Sequence, residues 1–303
     1  MTGVADGGRP GIRGAGMARP RAMFASRRRV NRILDGLAYL VVGLVTLFAV
    51  FPLAWTLLTS FKLERDIVTE NLQYVPRELT FDNYVTLWRR SGFPRLMANS
   101  AVVTALSVAI CMLFGSLAAY SISRYRFWGR SLLLVFYLVI RMFPFVLLLV
   151  PIFVMLRELR LLDTRSGLAL AYTAFLLPVA VWMLKGFFDA IPSELEDASR
   201  VDGSTRLGAL VRIVLPLAAP GMIATAVFVA IAAWNEFLFA LLLTSSQGSR
   251  TWPVGLQLMV GEFQLPWGLL SAGGIISIIP IILFFALVQR SLVRGLTAGG
   301  LKG

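Results

Sequence analysis

Residues 33–60 read ILDGLAYLVVGLVTLFAVFPLAWTLLTS, and Asp35 is the one charged side chain in the run. A helix needs about 20 predominantly apolar residues to cross a bilayer, and this stretch exceeds that. Outward from it, further apolar runs lie near 97–123, 131–156, 167–188, 217–243 and 268–290. They are long and continuous, not ten-residue stretches of alternating polarity, so they predict helices and not the strands of a barrel. The expectation is an all-α, polytopic membrane protein with six transmembrane helices spanning 33–290. A tail over 1–32 precedes it and a short tail over 291–303 follows.

Composition agrees. Of 303 residues, 57% are hydrophobic and only 15% charged, too few charges to cover the surface of a soluble domain. An even number of spans puts both ends on one side. Arg27, Arg28, Arg29 and Arg32, beside the first run, place that side in the cytoplasm by the positive-inside tendency. The Gly- and Arg-rich segment 1–32 lacks the apolar residues for a core and is expected to be disordered. A net charge of +13 on so apolar a chain reads as contact with anionic headgroups of the lipid bilayer, with no nucleic acid as partner.

The chain has no histidine and one cysteine, Cys111, so disulfides, Cys/His metal clusters and histidine acid–base chemistry are closed to it. It also has no GxxxxGK[ST] phosphate loop. No cofactor or metal is expected on this chain, no catalytic residue is assigned, and any ATP must be used by another subunit.

The segment between the fourth and fifth runs, about 189–216, carries dense helix punctuation. Ser193 with Glu196 three residues on fits a capping box. Asp202-Gly203 then ends that helix, because glycine accepts a left-handed terminus. Ser204 or Thr205 can start a second helix whose Leu207, Leu210, Val211 and Val214 follow one apolar face. Two short helices bent at Gly203 result. On these grounds alone the segment is either an amphipathic connector in the membrane interface or a docking element.

A resemblance separates the two. Importer permeases of the ATP-binding-cassette superfamily carry Glu-Ala-Ala, three residues, Gly, nine residues, Ile, one residue, Leu-Pro. This segment is similar: Asp197-Ala198-Ser199, Gly203, Ile213 and Leu215-Pro216 keep the spacing, with Asp for Glu and Ser for the second Ala. Phe81-Asp82-Asn83-Tyr84, Asn99-Ser100, Trp234-Asn235-Glu236-Phe237 and the ending 295–303 likewise resemble the permeases of maltose-type carbohydrate importers. The resemblance implies a cytoplasmic coupling loop built on Glu196, Asp197, Ala198, Ser199, Asp202, Gly203, Ile213, Leu215 and Pro216. Either Glu196 or Asp197 would supply the carboxylate that meets an ATPase. It also implies a second permease subunit, two ATP-binding subunits or an ATPase dimer, an extracytoplasmic solute-binding protein and a place in the cell inner membrane.

Within the runs, Arg141 is costly at depth and reads either as an internal clamp or as a solute contact. Asn235 and Glu236 either line a path or pair with neighbours. Phe143, Phe145, Tyr172 and Trp182 are aromatic candidates for stacking on sugar or for ordinary packing. The rival to an importer subunit is a self-contained secondary transporter or channel that uses Arg141 and Glu236 as coupling groups.

Overall fold

A computed structural model of the protein describes residue 3 and residues 21–69, 74, 78–90, 92–142, 144–261 and 265–299; the side chains of 21–32, 138, 141, 145, 287, 288 and 290–299 lie outside the description. Among the described residues the secondary structure is helical throughout, with no strand. Two compact units divide the chain, residues 1–55 and residues 56–303.

The first unit is the bulk of α1 (Arg21–Ser60). From Leu37 to Phe51 its exposed side chains are apolar apart from Thr46, Leu40, Val45 and Phe48 among them, as expected of a helix whose solvent is lipid. Thr46 donates its hydroxyl to the Val42 carbonyl at 2.7 Å, which keeps the polar group satisfied within the helix. The helix begins at Arg21, inside the segment expected to be disordered. Its Arg, Ala and Met residues are good helix formers, and extending a formed helix is far easier than nucleating one.

The second unit begins with α2 (Asp82–Arg90), α3 (Phe93–Arg124), α4 (Arg130–Met142), α5 (Leu149–Glu158) and α6 (Arg165–Asp189). It continues through α7 (Glu194–Val201), α8 (Arg206–Ala209), a π-turn at Leu210–Val214, α9 (Leu215–Leu217), α10 (Ala219–Trp234), α11 (Leu238–Leu243), α12 (Trp252–Gln257) and α13 (Trp267–Gly299). α3 and α6 run side by side in the same direction. Val103 meets Leu168 and Tyr172 near one end, and Tyr120 meets Val181 and Phe188 near the other. α10 runs the opposite way, with Ala218 in the second cluster and Ala233 in the first. Its start lies hard against α6: a β-carbon on Gly221 would sit 2.1 Å from the Phe187 ring, so this crossing requires glycine.

Among the described residues four helical stretches are long and apolar enough to cross a membrane: 33–60, Phe93–Arg124, Arg165–Asp189 and Trp267–Ala286. A fifth would be the pair Arg206–Leu217 and Ala219–Trp234, which is bent by 79°. The expected run 131–156 is not one helix. Pro144 is extended (φ −64°, ψ 118°) and starts a short 3-10 turn over Phe145–Leu148, which separates α4 from α5. A proline there removes a donor and disfavours helix in the residue before it. The run 217–243 is also interrupted, at 235–237, and α13 continues to Gly299 through much of the expected tail.

The motif residues outside the loop act as clamps between distant segments. Asn83 donates to the carbonyls of Ser60 and Lys62, both at 2.9 Å, while Tyr84 and Ser60 share a hydroxyl contact at 2.8 Å. The Glu64 carboxylate accepts the backbone N–H groups of Trp267 (2.7 Å) and Gly268 (2.9 Å), so it caps the start of α13. Asn99 donates to the carbonyls of Gln247 and Arg250, and Ser100 accepts the N–H of Trp252. The indole N–H groups of Trp234 and Trp252 both end on Ser277 of α13.

Candidate coupling loop and translocation path

α7 and the elements after it form the bent pair of helices that the sequence indicated. Gly203 has φ +90°, a conformation that side chains oppose. The N–H of Ser204 returns to the Ser199 carbonyl (3.0 Å) and that of Gly203 to Arg200 (3.1 Å), which is the Schellman arrangement with Asp202 as the cap residue. Thr205, not Ser204, caps the second helix by accepting the N–H of Gly208 at 3.0 Å.

The capping box does not form. Ser193 makes no side-chain cap bond, and Glu196 turns away from it into the protein. Glu196 is 6% exposed; its Oε1 accepts Nε of Arg124 at 2.5 Å, and its Oε2 accepts the Tyr120 hydroxyl at 2.8 Å. Arg124 also donates to the Ile191 carbonyl at 2.9 Å. A charged pair repays its burial better than a two-residue cap exposed to water, since both of its ions are hydrogen-bonded. Next to it, Ser123 donates to Asp189 at 2.5 Å, Lys185 pairs with Asp189, and Arg206 lies over the Tyr125 ring at 5.2 Å. The sequence signal for these partners was a polar, basic border at the end of the 97–123 run; nothing in it tied Arg124 to Glu196.

The expected single apolar face is split. Leu210 and Val214 are buried against α3 and α6, whereas Leu207 and Val211 are exposed. The π-turn at Leu210–Val214 is the cause. Pro216 would press on the Arg212 carbonyl in a regular helix and offers it no N–H, so the wider turn relieves the clash and rotates the residues before it. The outer surface of the loop therefore carries Val201, 89% exposed, with Leu207, Val211, Leu195 and the carboxylate of Asp197. Among the described residues Asp197 pairs only with Arg200 on its own helix, at 3.3 Å. Ala198 and Ser199 lie in α7, the latter bonding back to the Glu196 carbonyl at 2.9 Å. Ile213 falls in the π-turn, and Leu215-Pro216 open α9.

Three candidates were placed in the membrane. Arg141 falls in the last turn of α4, before the Pro144 break, instead of mid-helix; its side chain, with Phe143 and the Phe145 side chain, lies outside the described residues. Asn235 caps α10 and donates to the Ile231 carbonyl at 2.9 Å. Glu236 caps α11, accepting the N–H groups of Phe239 (2.9 Å) and Ala240 (3.1 Å). It also lines a cavity of about 240 Å³ with Tyr172, Phe175 and Phe239. Trp182 is exposed. Asn235 and Glu236 thus pair with neighbouring backbone, while the cavity leaves Glu236 a face toward open space. Among the described residues no cluster of acidic and cysteine side chains is placed to hold a metal.

Helices of this length, a bent loop anchored on one side and bare on the other, and a broken helix beside a polar-edged cavity define a membrane transport subunit. Residues 111–298 match the family described as the binding-protein-dependent transport system inner membrane component, and the chain belongs to it. It is a permease component and not an enzyme. The sulfoquinovosyl glycerol transport system permease protein SmoH of Agrobacterium fabrum is 39% identical over 267 residues, 88% of this chain and 94% of its own. The trehalose transport system permease protein SugB of Mycobacterium tuberculosis is 38% identical over 283 residues, 93% of this chain and all of its own. Among solved structures, a bacterial ABC transporter involved in import of the acidic polysaccharide alginate shares the fold, with a TM-score of 0.75 and 23% identity over 86% of this chain and 97% of that one.

Proposed function

We propose that this chain is one of two permease subunits of an ATP-driven carbohydrate importer, with six spans and both ends in the cytoplasm. Its partners are a second permease, a pair of ATPase subunits that bind and use the ATP, and an extracytoplasmic solute-binding protein. The carbohydrate cargo is supported by what the relatives are named for, trehalose and a sugar glycerol glycoside.

The observation that carries the coupling role is the two-sidedness of the 193–217 segment. Its inner side is fastened by Glu196, Arg124 and Tyr120 and by Leu210 and Val214. Its outer side holds Val201, Leu207, Val211 and Asp197 without a partner segment in the described chain. Short helices fastened in this way move as a body with α3 and α6, so an ATPase that grips the outer side passes its own rigid-body motion to the spans. A connector merely floating in the interface would not need a buried ion pair.

In this reading the residue meeting the ATPase is Asp197, and Glu196 keeps the loop attached to the membrane domain. The cavity beside Glu236, with Tyr172 and Phe175, is a candidate part of the solute path. The six spans count α4 and α5 together as one interrupted crossing and α10 with α11 as another.

The test is uptake in proteoliposomes. The full complex should take up labelled disaccharide only with internal ATP and external binding protein. Ion-driven uptake by this chain alone would replace the proposal with the secondary-transporter reading.

A further inference from the structure

The turn between α3 and α4 holds a tryptophan clear of the rest of the described chain. α3 ends at Arg124, where the N–H of Tyr125 closes on the Ser121 carbonyl at 3.0 Å and Arg206 lies over the Tyr125 ring. The backbone then reverses: the N–H of Arg130 returns to the Phe127 carbonyl at 3.3 Å, with Trp128 and Gly129 between them and Gly129 at φ +90°, the φ pattern of a type II turn. The backbone thus sets the tip, and Trp128 stands there 97% exposed with Phe127 exposed beside it.

A ring of that size gains from leaving water, so its exposure calls for a partner. The neighbouring surface indicates which one. α3 is long and apolar enough to cross a membrane, and α4 opens at Arg130 with Leu132, Val135, Phe136 and Val139 at helical spacing on an exposed apolar face. That face starts two residues after Arg130, which puts the edge of the apolar layer within about one helical turn of the loop. Tryptophan favours this boundary, where its ring meets lipid and its N–H meets water. Arg126 is exposed and Arg130 half-buried, and neither comes within ion-pair distance of an acid among the described residues. Arg130 acts on Asp189 electrostatically from further off. Glu196 and Asp189, the acids bonded at this end of α3, are taken up by Arg124 and Lys185. Two cations without an acid therefore flank an aromatic ring at the apolar boundary. A phosphate ion in water would use the arginines and leave the ring bare, and a protein surface would leave the apolar face of α4 unexplained. A phospholipid with a net negative headgroup uses all three.

We propose that the 125–130 turn binds an anionic phospholipid of the bilayer, with Arg126 and Arg130 meeting the headgroup phosphate and Trp128 seated beside it in the interface. In the orientation proposed above this is the inner leaflet; the site depends neither on that orientation nor on the cargo. The same end of α3 carries Tyr120 and Arg124, so a bound lipid steadies the helix end to which Glu196 fastens the 193–217 segment.

The test uses the complete importer in nanodiscs that contain a rising fraction of phosphatidylglycerol or of phosphatidylcholine, each spin-labelled high on the acyl chain. Trp128 is read as the difference in tryptophan quenching between the wild type and Trp128→Phe. Phosphatidylglycerol should half-quench Trp128 at a lower lipid fraction than phosphatidylcholine. Arg126→Gln should raise that fraction by about fivefold, and Arg126→Lys should leave it near the wild-type value. Added salt should raise it in the wild type more than in Arg126→Gln. Equal quenching by the two lipids would overturn the anionic site, as would a loss in Arg126→Lys as large as in Arg126→Gln. Absence of quenching by either lipid would place the ring against a protein surface, an ATPase or the second permease, and would overturn the lipid partner. Quenching is read without transport, so a complex that fails to import sugar bears on the importer reading and not on this site.

Discussion

A β-carbon at position 203 would be held at φ +90°, in the region where side chains lose about 1 to 2 kcal/mol. Nothing lies within 4 Å of that β-carbon, so the penalty is backbone strain and not a clash. Gly203→Val should therefore insert normally but reach wild-type membrane levels with weakened ATPase co-purification and little uptake; full attachment and uptake would argue against the coupling role. The two carboxylates next door should separate cleanly. Glu196→Gln leaves Arg124 buried beside a neutral amide, and disrupting a buried pair costs on the order of 3 kcal/mol. It should lower the melting temperature of the purified chain, whereas Asp197→Asn, exposed and paired only locally, should leave melting unchanged and weaken ATPase attachment. Asp163 offers a pH test. Burial alone would raise its pKa, but the donors from Ser246, Ser249 and Ser245 outweigh this and hold the carboxyl below the usual range. Its folded pKa is thus below the unfolded value of about 3.9. The stabilisation is present above that value and is lost as pH falls through the folded pKa. Amide exchange over 244–250 should rise in acid for the wild type, and Asp163→Asn should show that faster exchange already at neutral pH.

At the scale of elements, two breaks decide how the spans are built. The α10–α11 break is held by Glu236, whose carboxylate satisfies the N–H groups of Phe239 and Ala240. Losing such a cap costs about 1 kcal/mol. Glu236→Ala should lower thermal stability modestly, and Glu236→Gln, which keeps one acceptor, less so. A shift in cargo preference in Glu236→Gln with stability intact would assign the residue to the solute path as well. The α4–α5 break rests on Pro144, and the apolar pattern of 131–156 could not reveal it. Hydropathy reports which residues avoid water, and both a straight helix and a broken one pass that test.

Across the whole molecule, the six crossings proposed above would put both ends on one side, and labelling tests this. In a Cys111→Ser background, Val75→Cys should react with an impermeant maleimide from outside. Val201→Cys, in a chain expressed without its ATPase, should react only after permeabilisation. Reversed labelling would invert the orientation, and with it the face assigned to the loop.

The class of fold was legible because lipid as solvent leaves long apolar runs as its signature, and the bend of the loop was legible because Gly203 and Thr205 act on their nearest neighbours. The family resemblance rested on the same kind of local spacing. What only the tertiary structure decided were the interactions between residues far apart in the chain. Glu196 reads locally as a cap, yet Arg124 and Tyr120, more than 70 residues away, offer it charge and a hydroxyl in a buried place and win. Asn83, Asn99 and Glu64 were visible as motif or loop residues but not as the clamps that close 60–62, 247–250 and the start of α13. Local preferences are written in short spacings, whereas the burial of a charge or an amide is settled by whichever partner the folded chain brings within hydrogen-bond reach.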